Sequence, residues 1–80
     1  MKYVYLLQSI PHPNERYVGM TSDVQKRLVA HNTGQSPHTA KYRPCEIVTF
    51  HAFLDEGKAM AFEKYLKSGS GRSFANKRLW

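Results

Sequence analysis

Two stretches of helical periodicity in this chain carry ionisable side chains where apolar ones belong. Over residues 24–31, Val24 and Leu28 mark a buried stripe, and Arg27 and His31 complete its i, i+3, i+4, i+7 series. Over residues 56–67, Ala59, Phe62 and Leu66 mark the stripe, and Glu63 falls at i+4 from Ala59. Hydroxyls come from strand-like runs: Tyr3 and Tyr5 share one face of the first, and Tyr17 shares a face with Gly19 in the second. Tyrosine, arginine, histidine and glutamate gathered at one open rim can move a proton beside a phosphate. Taken singly, each has a plainer account. Glu63 pairs with Lys67 at i+4, Arg27 lays its stem on apolar surface with its head in water, and strand tyrosines pack at a sheet edge.

The elements that must hold these side chains follow from the punctuation between them. Tyr3-Val4-Tyr5-Leu6-Leu7 is apolar on both alternating faces, which predicts a first strand buried on both sides. Pro11-His12-Pro13-Asn14 cannot extend a ladder, and Arg16–Met20 resumes β character, so the two runs read as a hairpin. Gly19 near the end of its second strand marks a bulge or a place where something approaches the backbone closely. Ser22 with Gln25 three residues on reads as a capping box, Asp23 adding charge at the positive end of a helix over 24–31. Asn32 and Gly34 supply left-handed positions to end it, and residues 33–44 form a polar loop with Pro37 and Pro44. A third strand is expected over 46–53. A second helix opens at Asp55 and Glu56, runs to about Lys67 and is closed by Gly69-Ser70-Gly71, before a short third helix over 72–79. The order ββαβαα predicts an α/β chain of the α+β type: a three-stranded, mainly antiparallel sheet flanked by helices.

Eighty residues with 12 Lys and Arg against 6 Asp and Glu make one basic domain, 1–80, of formal charge +6. A chain of this size buries roughly 60% of its unfolded surface, leaving no lobe for a large organic cofactor. No apolar run is long enough to span a membrane or to serve as a secretory signal. Cys45 is the sole cysteine, which excludes a disulfide framework and a thiolate zinc site and points to a reducing cytoplasm. No acid follows Glu63, whereas Lys64, Lys67, Arg72, Lys77 and Arg78 all do. A one-sign surface of this kind attracts nucleic acid by releasing condensed counterions, and Lys41 and Arg43 in the loop add to it. A solvated, solubilising face accounts for the same charges.

Tyr3-Val4-Tyr5 and Tyr17-Val18-Gly19, followed by Arg27, His31, Glu63 and Asn76 in that order, resemble the motifs of the GIY-YIG nuclease family over nearly the whole chain. The resemblance is closest to small stand-alone bacterial members, similar to the N-terminal incision domain of the excision-repair nuclease. It implies the same three-stranded fold and hydrolysis of a DNA phosphodiester with one divalent ion, Mg²⁺ or Mn²⁺, in DNA repair or recombination. Glu63 would be the metal ligand, since a hard dication takes one or two carboxylates and otherwise keeps water and phosphate oxygens. Tyr17 would act as, or hand its proton to, the base for the attacking water, Tyr5 would help hold that water, and Arg27 would brace the scissile phosphate. Lowering a phenol from ~10 to ~7 takes roughly 4 kcal/mol. One unit charge about 4 Å away at an effective dielectric near 20 supplies about that much, so Arg27 and the ion suffice. Gly19 and Asn76 would support the local structure.

Two positions depart from the family pattern: Tyr3 stands in place of the first motif's glycine, and Met20 stands where some relatives carry lysine. The second removes one phosphate or proton-transfer partner and leaves His31 as a route for the proton. His12, His38 and His51 read as structural or surface residues. The competing reading is a non-catalytic nucleic-acid-binding module, which needs Lys41, Arg43, Lys67, Arg72, Lys77 and Arg78 but gains nothing from Glu63, a carboxylate that repels phosphate without a metal. DNA is the expected partner in both, with a homodimer or a separate targeting protein open.

Overall fold

The computed structural model describes residues 1–80. Its elements are β1 (Lys2–Ser9), β2 (Arg16–Thr21), α1 (Val24–Asn32), β3 (Cys45–Phe53), α2 (Glu56–Leu66) and α3 (Gly69–Arg78), with one 3-10 turn at Ala40–Tyr42. The sheet order is β2-β1-β3, both pairs antiparallel, so the continuous apolar run is the central strand. Val4, Tyr5, Leu6 and Leu7 are all buried there, because the neighbouring strands cover the edges of β1 and helices cover each face.

Alternation along β1 divides the core. Val4 and Leu6, with Val18 and Met20 of β2, pack against Ala59 and Leu66 of α2 and Ala75 of α3. Tyr5 and Leu7 face the other way, toward Tyr17, Leu28 of α1, Ile47 and Cys45. The sheet therefore separates α1 from α2 and α3, and β2, having no strand beyond it, leaves an open edge between the two sides. No helix is long and apolar enough to cross a membrane.

Three local expectations are corrected. The cap of α1 is Asp23, whose carboxylate accepts from the Lys26 N–H at 3.0 Å, and not Ser22 in a capping box; Thr21 Oγ1 accepts from the Asp23 N–H and fixes the entry one residue later. Asn32 stays in the helix, and only Gly34 is left-handed (φ 83°). The Asn32 amide is used instead to clip β3, accepting from Cys45 N–H at 2.7 Å and donating to Cys45 C=O at 3.1 Å. Gly69-Ser70-Gly71 does not close α2 but forms the first turn of α3, with Ser68 as cap accepting from the Gly71 N–H at 3.2 Å. The reason is contact: a Cβ on Gly71 would lie 1.7 Å from the Tyr65 carbonyl oxygen, so only glycine lets the two helices meet at so sharp a corner.

Candidate active site

Register places Tyr5 of β1 directly opposite Gly19 of β2, and Leu7 opposite Tyr17, so Tyr5 and Tyr17 are diagonal neighbours on the α1 face. The Tyr5 ring lies over Gly19: a Cβ there would come within 2.3 Å of Tyr5 Oη and 2.5 Å of Cζ. The close approach expected at Gly19 is thus made by a tyrosine, and it brings that hydroxyl to the edge of the sheet.

Two residues of α1 meet the Tyr5 hydroxyl there. Arg27 Nε–H donates to it at 3.2 Å, and His31 Nε2 lies 3.1 Å away. An oxygen that accepts from Arg27 has its own proton to give, so Tyr5 O–H donates to His31 Nε2. His31 Nδ1–H then donates to Thr39 Oγ1 at 2.8 Å, and the Thr39 hydroxyl turns to the Ser36 carbonyl at 3.4 Å. His31 and Thr39 are 4% and 1% exposed, and every buried side-chain polar atom has a partner. Burial first, and then the Arg27 charge, push the His31 pKa below its ordinary value and hold it neutral, the form with a lone pair for Tyr5.

Tyr17 and Glu63 reach the same cleft, a hollow of about 470 Å³ lined also by Arg27, His31, His38 and Met20. Tyr17 Oη contacts the His38 carbonyl at 3.4 Å, a long bond, and burial together with the nearby Glu15 carboxylate pushes its phenol above the ordinary value. The support expected from Arg27 at Tyr17 is found at Tyr5 instead: α1 lies mainly against β3, and from there Arg27 reaches the Tyr5 hydroxyl on the central strand. Glu63 comes from the opposite side of the sheet, from α2, and meets the cleft around the open edge of β2. Its side chain is 26% exposed and lies 3.6 Å from Lys67 Nζ. The plain i+4 pair and the cleft position therefore hold at once.

No group of three or more His, Cys, Asp or Glu side chains is clustered for a metal. A single accessible carboxylate beside hydroxyls and a guanidinium does fit one hard dication that keeps most of its ligands as water and phosphate oxygen. The remaining residues singled out from sequence are dispersed. Lys41 stands over its neighbour Tyr42, and Arg43 lies across Gly34, where its Nη1 is 2.5 Å from the site of a Cβ. Neither lines the cleft. Asn76 accepts from Arg16 Nη1 at 3.4 Å and ties α3 to β2, not to Glu63. Tyr3 is accommodated by an edge contact with Phe50, ring centres 6.0 Å apart. His38, read as a bystander, lines the cleft, and Thr39 and Ser36 were not singled out at all; a serine and a threonine in a polar loop carry no signal until the loop folds over α1.

This fold and cleft define a small α+β domain with a tyrosine–arginine–histidine cluster and a lone glutamate at a sheet edge. The GIY-YIG catalytic domain family model matches residues 1–78, and the chain belongs to that family, the GIY-YIG nucleases. It is similar to UPF0213 proteins of Streptococcus pyogenes serotypes M3 and M1, each 32% identical over 72 residues, covering 89% of this chain and 76% of the relative. Among solved structures, the UPF0213 protein from Bacillus halodurans, determined by solution NMR, is 30% identical, with a TM-score of 0.56 over 96% of this chain and 82% of that one.

Proposed function

We propose that this chain is a divalent-metal-dependent DNA endonuclease acting through the cleft at the edge of β2. The observation that carries the reading is the Tyr5 hydroxyl held between Arg27 and His31 in a cleft that also receives Tyr17 and Glu63. Tyr5 O–H passes its proton to His31 Nε2 as it takes one from the attacking water, while Tyr17 holds that water at the mouth. The water oxygen bonds to phosphorus, the opposite P–O bond breaks, and the departing oxygen is protonated from solvent. Arg27 spends Nε on Tyr5 and keeps both Nη groups for the phosphate oxygens, where charge grows. Thr39 fixes which His31 nitrogen is bare. Glu63 would hold one Mg²⁺ or Mn²⁺, which when bound supplies Lewis-acid stabilisation of the phosphate charge.

DNA repair or recombination is the setting that kinship to incision domains suggests, with targeting supplied by a second copy or a separate protein. The test is incubation with supercoiled, branched and single-stranded DNA in Mg²⁺ or Mn²⁺ and then in chelator, for the wild type and Glu63→Ala. Cleavage that needs the ion and disappears in the variant, with an unchanged circular dichroism spectrum, is expected. Wild-type protein that binds all three DNAs and cuts none would make this a binding module. A Glu63→Ala variant that cuts normally would remove Glu63 from the site.

A further inference from the structure

A second hollow, larger than the candidate active-site cleft, opens beside it. It lies farther along the same open edge of β2, has a volume of about 540 Å³ and is floored by Val18, Leu66 and Ala75. Its walls carry Arg16 of β2, Lys67 at the end of α2, and Arg72, Asn76 and Trp80 of and just beyond α3. Three cations from three elements surround one hollow, and no carboxylate side chain lines it. Like charges gathered this way repel one another, and an anion in the hollow relieves that repulsion.

We infer that this second cavity is a phosphate subsite for a nucleotide flanking the scissile bond. Arg16 is held in place rather than free: its guanidinium stands 5.0 Å from the centre of the Trp80 ring and donates to Asn76 Oδ1. That bond uses the Asn76 oxygen and leaves its NH₂ group to donate to a ligand oxygen. Arg72 has no carboxylate partner, since the molecule's only two salt bridges are Lys2–Glu56 and Lys67–Glu63. Tyr17 and Val18 line both hollows, so a bound strand following β2 crosses from one to the other. At ~3.3 Å per strand residue, Arg16 is about 10 Å from Gly19. That is within about three nucleotides of the reacting phosphate at ~3.4 Å of axis per nucleotide. Lys77 and Arg78, the other cations of the basic tail, do not line the cavity; helical rotation carries them off the face shared by Arg72 and Asn76 at i+4. The tail is therefore not one uniform basic face, as its composition suggested.

The inference uses the nuclease reading only to name the anion as DNA phosphate, and the two can fail separately. Trp80 is the sole tryptophan, so its fluorescence reports directly on this cavity. A short DNA duplex is titrated in chelator, across a salt series, against the wild type, Arg72→Ala and the double variant Lys77→Ala/Arg78→Ala. The duplex should change Trp80 emission saturably. Arg72→Ala should weaken binding by about tenfold at low salt and lower the log–log salt slope by about 0.9, one phosphate contact, whereas the double variant should keep the slope. DNA binding with silent Trp80 emission, or equal slope changes from Arg72 and from the Lys77/Arg78 pair, overturns the subsite. A chain that cuts DNA with silent Trp80 loses the subsite and keeps the nuclease reading. One that cuts nothing yet shows the Arg72-dependent response keeps the subsite and loses the nuclease.

Discussion

Gly19→Ala is the substitution that tests the site through its geometry. An added Cβ would stand 2.3 Å from Tyr5 Oη, 2.5 Å from Cζ and 2.9 Å from Cε1, all inside van der Waals contact. The Tyr5 ring is 3% exposed and cannot swing into solvent without leaving its packing against Leu7 and Cys45. To regain ordinary contact it must move by about 1 Å, enough to stretch its hydrogen bonds to Arg27 and His31 beyond useful range. Overpacking of this kind costs about 1–3 kcal/mol. Two weakened hydrogen bonds add roughly 1 kcal/mol each. Removing a glycine from a strand returns about 0.5–1 kcal/mol. The net loss is about 2–4 kcal/mol, which for a domain of this size lowers Tm by about 10–30 °C. Thermal melts by circular dichroism measure that part. Single-turnover cleavage well below the new Tm measures the other, where misplacing a positioned group by about 1 Å should cost about 10²-fold in rate. A variant that melts within about 3 °C of wild type, less than 1 kcal/mol of change, and cuts at the wild-type rate would show that Tyr5 is not fixed as described.

Other outcomes follow from the same contacts. Gly71→Ala drives a Cβ into the Tyr65 carbonyl, a backbone atom that cannot step aside, so it should cost more than Gly19→Ala in a denaturant melt while touching no residue of the cleft. The depressed His31 pKa gives a pH signature. Below the unfolded value of 6.5 the unfolded chain takes up a proton that the folded chain refuses, so this contribution is complete above pH 6.5 and is lost as pH falls from there toward the folded pKa. Urea melts of wild type and His31→Gln should diverge in slope over that window by at most about 1.4 kcal/mol per pH unit and run parallel above it. Parallel curves throughout would mean that His31 is not buried neutral. Arg27→Lys keeps the charge but loses the fork that serves Tyr5 and phosphate together, so turnover should fall far more than DNA affinity, read by single-turnover kinetics beside a binding titration. Tyr17→Phe should leave stability within about 0.5 kcal/mol of wild type, given that its hydrogen bond to the His38 carbonyl is long and exposed, and lower the cleavage rate by about 10²-fold through loss of the group that positions the water.

Much of the architecture was legible in the sequence because local rules and burial agreed. A five-residue run apolar on both faces reads as a strand buried on both sides, which the sheet order makes the central one, and Pro11 and Pro13 interrupt the ladder at the hairpin that sets β2 beside it. Arg27, His31 and Glu63 were visible as charges on apolar stripes, and Gly19 as a strand glycine that something must approach. Within the architecture, the departures fall at the joins. Asp23 displaces Ser22 as cap by one residue, and Gly69-Ser70-Gly71 reads as a helix end, because glycine is favoured just past helix C-termini, yet it forms the first turn of α3 through Gly71. Its real constraint, the Tyr65 carbonyl, lies across a turn that no window of sequence shows.

The chemistry, by contrast, was assigned by the packing. The resemblance set Arg27 beside Tyr17; the register that puts Tyr5 on Gly19 and the packing of α1 against β3 give Arg27 to Tyr5 instead, and Tyr17 has a raised pKa. The loop over residues 33–44 contributes Thr39 to His31 only by folding back over α1, a contact between a helix residue and a loop residue that no periodicity within one element relates. Glu63 belongs to the opposite face of the sheet and reaches the cleft only because β2 is an edge strand, with nothing beyond it to separate the two sides. Side-chain type and local periodicity are properties of the sequence, whereas which types meet depends on strand order and register, set by burial of Val4, Leu6 and Leu7 on the same strand as Tyr5.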